Sequence, residues 1–210
     1  MKDVVVNETQ RRLLDSAEEL FADRGFEAVS LRDITQHAGT NVASVNYHFA
    51  SKDGLINAVV GRHAVPIQEA RLKLLQVLLE RETSPSVQEV VEAFLRPLKE
   101  RILERESCRR IFSRFLARMM TEEAHRLPEE LLPQCQEAAE AIVRAMMKAA
   151  PHLSEWQAYY RMKFCFSVMA NAMEQDEMLI QLSGGRLDRE SDWERIFTEV
   201  VNFCVGGVKG

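Results

Sequence analysis

Apolar side chains recur three and four residues apart along most of the chain, the spacing that collects them on one face of an α-helix. From Asn7 to Arg24 the stripe is Leu14, Ala17 and Phe21, joined by Leu13 and Leu20. Asn7 is placed to cap its start, with Gln10 three positions on, and Gly25 is placed to close it in a left-handed turn. Ser30-Leu31-Arg32-Asp33 fits a capping box, and Leu31, Ile34 and Ala38 predict a second helix of only two turns that ends at Gly39. Beyond Thr40, the spacing of Val42, Val45 and Phe49 predicts a third short helix, capped by Asn41, with these three side chains facing inward. Three helices in so short a stretch, the last two joined by a glycine turn, form a helix-turn-helix pattern.

Ser51 is placed to cap a fourth helix, in which Leu55, Ile56, Val59 and Val60 continue past Pro66 into Leu72, Leu74, Leu75 and Leu78, to about residue 81. Pro66 removes one amide donor, so this connector is expected to kink or to divide there. After Thr83-Ser84-Pro85 the texture changes to longer helical periods at about 86–105, 107–123, 128–149, 153–182 and 190–205. Pro85, Pro128, Pro151 and Gly184-Gly185 punctuate them, while Pro97 and Pro133 mark kinks or first-turn positions. Neither an internal repeat nor a Gly/Ser linker interrupts the pattern. The expected organisation is all-α: a helix-turn-helix head over 1–50, a connecting helix over 51–81, and a larger helical-bundle body over 82–210.

Composition agrees with that class. Nine glycines and six prolines in 210 residues are about half the usual share, too few for an all-β chain full of tight turns. No apolar run approaches the roughly 18 residues of a membrane span, and Val4, Val5 and Val6 before Asn7 are too short for a signal-peptide core, so a cytoplasmic protein with no membrane partner is expected. Cys108, Cys135, Cys165 and Cys204 lie far apart with no C-x-x-C and no histidine at ligand spacing. They read as reduced, mostly buried thiols, and no metal or cofactor is expected. An enzyme built on His48 or His152 would need a nucleophile and base pair, a G-x-S-x-G, an H-E-x-x-H or a phosphate loop, and none is present.

The net charge of −5 argues against a protein that coats nucleic acid by bulk attraction, so any DNA contact must be local. Residues 34–52 hold no Asp or Glu, where the chain average of 32 acids in 210 residues would place about three. With Val42, Val45 and Phe49 inward, the helical period leaves Asn41, Ala43, Ser44, Asn46, Tyr47 and His48 outside or at the ends. Asparagine can pair with adenine, serine can bond a base or a phosphate, and alanine lets the backbone approach a thymine methyl. Tyr47, His48 and Lys52 are types that hold phosphates, as do amides at a capped helix start. Taken alone, Tyr47 and His48 also read as half-buried packing groups, and Lys52 as a solvated side chain.

The order of the whole segment decides between them. T-x-x-R near the start, A-x-x-L-F-A-D-R-G-F at Ala17 to Phe26, S-L-R-D-I-T-x-x-A-G at Ser30 to Gly39 and V-N-Y-H-F-A-S-K-D-G-L at Val45 to Leu55 together resemble the DNA-binding domain of the TetR/AcrR family of bacterial transcriptional regulators. The resemblance covers residues 8–60, about a quarter of the chain. It implies a homodimer that lays the third helix of each head in a major groove of an operator, with a variable body that binds a small molecule and forms the dimer interface. Position by position it implies groove contacts at Thr40, Asn41, Ala43, Ser44 and Asn46, and phosphate contacts at Ser30, Tyr47, His48 and Lys52. The family often carries Val-Ser at 40–41, Gly at 43 and an aromatic residue or leucine at 46, departures that bear on base preference and leave the binding mode intact.

In the body, Phe94, Phe112, Phe115, Met119, Met146, Trp156, Tyr160, Phe164 and Met169 read as ordinary core. The same types also line ligand cavities between bundle helices, and the resemblance favours that second reading, with a fatty acid or another apolar compound as effector. Phe164, Phe166, Val168, Met169 and Met173, then Ile196, Phe197, Val200, Val201 and Phe203, are apolar enough to bury more than one face of the last two long helices, as a dimeric four-helix interface would. The resulting expectation is a repressor released from its operator by a small lipophilic effector. The alternative is a helical dimeric interaction module whose degenerate head does not bind DNA.

Overall fold

The computed structural model describes residues 7–103, 128–172, 177–187 and 193–210. Among them it contains α1 (Glu8–Arg24), α2 (Leu31–His37), α3 (Val42–Phe49), α4 (Lys52–Glu80), α5 (Val87–Leu103), α6 (Leu132–Ala149), α7 (Glu155–Ala172), α8 (Glu177–Leu182) and α9 (Trp193–Lys209), and no strand. The expected helix at 107–123 lies outside the described residues, as do residues 173–176 in the middle of the expected 153–182 segment. The last helix ends a few residues later than its apolar period suggests, at Lys209, and its expected first residues, 190–192, lie outside the described residues. The helix expected from 128 begins at Leu132, because Pro128 opens a turn closed by the Leu131 amide on the Pro128 carbonyl at 2.9 Å.

The described residues form two compact units that divide between Val65 and Pro66, inside α4. The helix runs through the proline without a break. Pro66 offers no amide to the carbonyl one turn earlier, so the ladder is weakest where the units part.

The first unit packs α1, α2 and α3 on one another around Leu13, Ala17, Phe21, Phe26, Ile34 and Val45, with Leu55 and Val59 from the start of α4 equally buried. Asn7 caps α1 by accepting from the Thr9 amide at 3.0 Å, and Gly25 closes it at φ 83°. Phe21 and Phe26, on either side of that turn, stack with ring centroids 5.1 Å apart. A polar clamp joins α1 to α4: Glu18, almost fully buried, lies 3.0 Å from His63 Nε2 and 3.5 Å from Arg62 Nη1, and Arg62 also reaches Asp15 at 2.5 Å. Each charge brought out of water there has an opposite partner, without which its burial would be costly.

In the second unit α5 packs on α6, α7 and α9, and α7 packs on α6 and α9. Val91, Leu95 and Leu98 of α5, Ala141, Ile142 and Met146 of α6, Cys165 and Met169 of α7, and Val200, Val201 and Cys204 of α9 fill its interior, with Leu75 and Leu78 from the end of α4. Serine caps start two of these helices. The Ser86 amide and hydroxyl donate to Glu89 Oε2, both at 2.8 Å, and those of Ser154 donate to Gln157 Oε1 at 2.9 and 3.0 Å. Cys135, Cys165 and Cys204 are free thiols, the last two buried, with the Cys204 sulfur 4.0 Å from the Cys165 carbonyl oxygen. Cys108 lies outside the described residues.

Candidate nucleic-acid interface

An eight-residue helix is too short to hold its shape alone, so α3 depends on its two ends. At its start the Asn41 side chain accepts from the Ser44 amide at 3.0 Å and from the Ser44 hydroxyl at 3.2 Å. The turn before it bends at Gly39, φ +61°, where an added Cβ would meet Arg12 Nη2 at 2.6 Å. That guanidinium reaches from α1 and donates to the carbonyl oxygens of Ala38 and, at 3.1 Å, of Gly39. It thereby satisfies acceptors that the end of α2 would otherwise leave open. Upstream, Ser30 and Asp33 form a reciprocal capping box on α2, and the Ser30 hydroxyl, then its amide, hold the Asp33 carboxyl below the usual carboxylate range.

At its far end α3 closes through Ala50 at φ 64°, and the next helix starts with the Ser51 hydroxyl accepting from the Gly54 amide at 3.0 Å. Gly54 lies so close to the end of α3 that an added Cβ would stand 2.0 Å from the Phe49 carbonyl oxygen. Val45 and Phe49 face the core.

Val42 does not face it and is 42% exposed, contrary to the inward position expected from its spacing. It is the first residue of α3, and the Cα–Cβ bond of a helical residue tilts toward the N-terminus, so its side chain points past the helix end rather than onto α1 and α2.

The outward side of α3 carries Ala43, Asn46 and Tyr47, all exposed, with Tyr47 the most open at 85%. Tyr47 packs edge-on against His48 with ring centroids 4.9 Å apart, and His48 is half-buried beside Phe49. Ser30 and Asn41 are exposed, and Ser44 and Lys52 half-buried. Thr40 is placed differently: its hydroxyl oxygen is shielded from solvent and has no hydrogen-bond partner, so it is not offered to a ligand on the surface. Seven of the nine residues expected to touch DNA thus present side-chain atoms on α3 or at its two ends, and Ser30 does so at the start of α2.

The apolar set of the body separates. Phe94, Met146 and Met169 are buried in the second unit, while Phe112, Phe115 and Met119 lie outside the described residues. Trp156, Tyr160 and Phe164, grouped with them by type, instead stand 67%, 42% and 57% exposed along one row of α7, with ring centroids 4.4 and 6.0 Å apart. α7 is apolar on more than one side, and a spacing of four does not say which of those sides faces the core. On α9, Phe203 is likewise 69% exposed while Val200, Val201 and Cys204 are buried.

Two residues that shape the interface are not legible in the sequence. Arg12 sits in the T-x-x-R element, but nothing in that spacing says that its side chain spans to a turn 26 residues away. Gly54 lies in a helical stretch where glycine is merely a poor helix former, and only the close approach of the Phe49 carbonyl explains it. No group of three His, Cys, Asp or Glu side chains among the described residues is placed to hold a metal, and no helix among them is long and apolar enough to cross a membrane.

A short helix locked by two caps and a braced glycine turn, with its polar edge outward, defines a helix-turn-helix DNA-binding head. Residues 13–59 match the family model of bacterial regulatory proteins, tetR family, and residues 92–207 match that of the tetracyclin repressor-like C-terminal domain. The second match takes in more than half of the 210 residues, and the chain belongs to the TetR family of transcriptional regulators. It is similar to the HTH-type transcriptional repressor KstR2 of Mycobacterium tuberculosis, 38% identical over 55 residues, or 26% of this chain and 28% of that protein. UidR of Escherichia coli, an HTH-type transcriptional regulator, is 33% identical over 52 residues, or 25% of this chain and 26% of that one. The aligned stretches span between a quarter and two fifths of the curated relatives' own length.

Among solved structures the fold resembles SmeT, the repressor of the Stenotrophomonas maltophilia multidrug efflux pump SmeDEF. The TM-score is 0.59 at 16% identity, over 95% of this chain and 91% of that one. NalD, the secondary repressor of the MexAB-OprM multidrug efflux pump of Pseudomonas aeruginosa, gives 0.57 at 18% identity, over 93% and 94%. At these identities the likeness is one of fold.

Proposed function

We propose that this DNA-binding regulator is a cytoplasmic repressor that binds a two-fold operator as a homodimer and leaves it when a small lipophilic effector enters the second unit. The observation that carries the reading is the outer edge of α3. Ala43, Asn46 and Tyr47 face solvent on a helix anchored by Val45 and Phe49, in a stretch from 34 to 52 free of carboxylates. Asn41, Ala43, Ser44 and Asn46 read the groove; Ser30, Tyr47, His48 and Lys52 hold phosphates; Thr40 acts through the shape of its turn. The exposed rings of α7 and Phe203 of α9 meet a second copy of the chain, and Phe94, Met146 and Met169, with Phe112, Phe115 and Met119, accommodate the effector.

α4 belongs to both units, so a change in the second reaches the head along one helix. A hundredfold loss of operator affinity needs about 2.7 kcal/mol of coupling, within the usual allosteric range. The effector must therefore favour the released state by that amount.

Selection from a random oligonucleotide pool should return a near-palindromic site. On it, Tyr47→Ala and Lys52→Ala should weaken binding at every sequence with the dimer intact. The salt slope should fall by about one for each phosphate that is no longer neutralised. Unchanged binding by both variants, or no site recovered at all, would favour an interaction module with a silent head.

A further inference from the structure

The row Ile67, Arg71, Leu75 and Leu78 on the second half of α4 is buried, and it places a cation where the helical register calls for an aliphatic side chain. Arg71 is only 4% exposed. Its Nε donates to the Phe94 carbonyl oxygen at 2.7 Å and its Nη1 to Gln68 Oε1 at 3.3 Å. Its Nη2 is sealed from solvent and has no hydrogen-bond partner. The Phe94 ring centroid lies 4.5 Å from the guanidinium carbon and that of Phe166 5.8 Å, and the two centroids are 6.4 Å from each other, so both rings lie to one side of the cation.

No carboxylate pairs with it among the described residues. The ionisable group that faces it from α6 is Cys135, whose thiol is pushed up by its own burial and so supplies no counter-charge at neutral pH. Burial pushes the guanidinium down to about 10, which still leaves it charged in the cell. The uncharged Gln68 beside it could hold a backbone carbonyl without that desolvation cost. A buried charge with an idle donor is therefore a feature that packing alone does not account for.

We propose that Arg71 is the anchor for an organic carboxylate: the Nη1–Nη2 edge takes the two carboxylate oxygens, and the apolar remainder of the ligand lies against Phe94 and Phe166. A single guanidinium matches a monoanion, and its planar fork matches the geometry of a carboxylate. The inference rests on the reading that the second unit holds the effector and adds to it the charge of the ligand's head group.

The test compares decanoate with decanol, equal in chain length and unequal in charge, by calorimetry and thermal shift on the full chain, with butanoate, dodecanoate and benzoate as further probes. Decanoate should bind about tenfold to hundredfold more tightly than decanol, the range of a charge-assisted hydrogen-bonded pair. Arg71→Met should erase the difference, and Arg71→Lys should keep part of it. Should Arg71→Met fail to fold, the wild-type ratio and Arg71→Lys still decide. Equal binding of decanoate and decanol, a preference that survives Arg71→Met, or no carboxylate binding across the panel would each overturn the proposal. Operator release is read separately. Carboxylate binding that leaves the operator complex intact keeps the anchor and sinks ligand release, whereas release by decanol and decanoate alike does the reverse.

Discussion

Gly54→Ala is the sharpest probe of how α3 is held. The added methyl would stand 2.0 Å from the Phe49 carbonyl oxygen and 3.1 Å from its carbon, whereas real Cβ atoms essentially never come within 3.0 Å of another heavy atom. The obstacle is backbone and cannot rotate away, so the last turn of α3 must shift by about the missing ångström and carry Tyr47 and His48 with it. Overpacking of this kind costs about 1–3 kcal/mol, and the upper half applies because no side chain can yield. Alanine returns about 1 kcal/mol in helix propensity, for a net loss of roughly 1–2 kcal/mol. Gly61→Ala, on the same helix and in the same unit, is the control. Its Cβ would meet only Leu131 side-chain atoms at 3.7 and 3.8 Å, an ordinary contact, so propensity alone acts and the variant should gain up to about 1 kcal/mol. Urea denaturation of the two variants, with operator affinity by fluorescence anisotropy, reads both terms. A Gly54→Ala protein as stable as the wild type and bound to DNA as tightly would refute the view that this close approach sets the position of α3.

Arg12→Met removes the donor shared by the Ala38 and Gly39 carbonyls and should cost about 1–2 kcal/mol, with faster amide hydrogen exchange at Thr40 and Asn41 as its local signature. Glu89 is held at about 2 by the Ser86 amide, the Ser86 hydroxyl and then Arg81. A carboxylate whose folded pKa lies below its unfolded value stabilises the fold above about pH 4.5, and that contribution fades as pH falls toward 2. NMR titration of Glu89 should show the depressed midpoint, and Ser86→Ala should move it upward. Phe203→Glu, on the exposed side of α9, should shift the chain from dimer to monomer in sedimentation while its helicity by circular dichroism stays unchanged.

Much of the first unit was legible because each local signal has one physical solution. The Ser30–Asp33 capping box, Asn41 as a cap and Gly39 as the residue that ends α2 all follow from backbone groups that only particular side chains or conformations can satisfy. Helix ends were less legible where apolar period was the sole guide. α6 begins four residues later than Pro128 suggests, and α9 extends to Lys209 through Gly206 and Gly207, which lower propensity but do not stop a helix packed along its apolar stripe. The inward expectation for Val42 failed for a related reason: spacing fixes an azimuth around the helix but not whether a neighbour covers that end.

The body shows the same limit more strongly. Trp156, Tyr160 and Phe164 have the composition of a pocket and the exposure of a surface, because hydrophobicity records that a side chain gains by leaving water without naming what covers it. A second copy of the chain satisfies that demand as well as an interior does. Arg71 carries the opposite kind of signal. It breaks the apolar row between Ile67 and Leu75, and a residue that breaks a pattern at a cost in burial is more informative than one that continues it. The apolar spacing of this helix points to Leu72, Leu74, Leu75 and Leu78 and does not single out Ile67 or Arg71, and the surroundings of the guanidinium are not legible in the sequence at all. Only the arrangement of α4, α5 and α7 reveals that, among the described residues, the guanidinium meets a carbonyl, an amide and two rings but no carboxylate. That unmatched charge is what turns a packing residue into a candidate for ligand recognition.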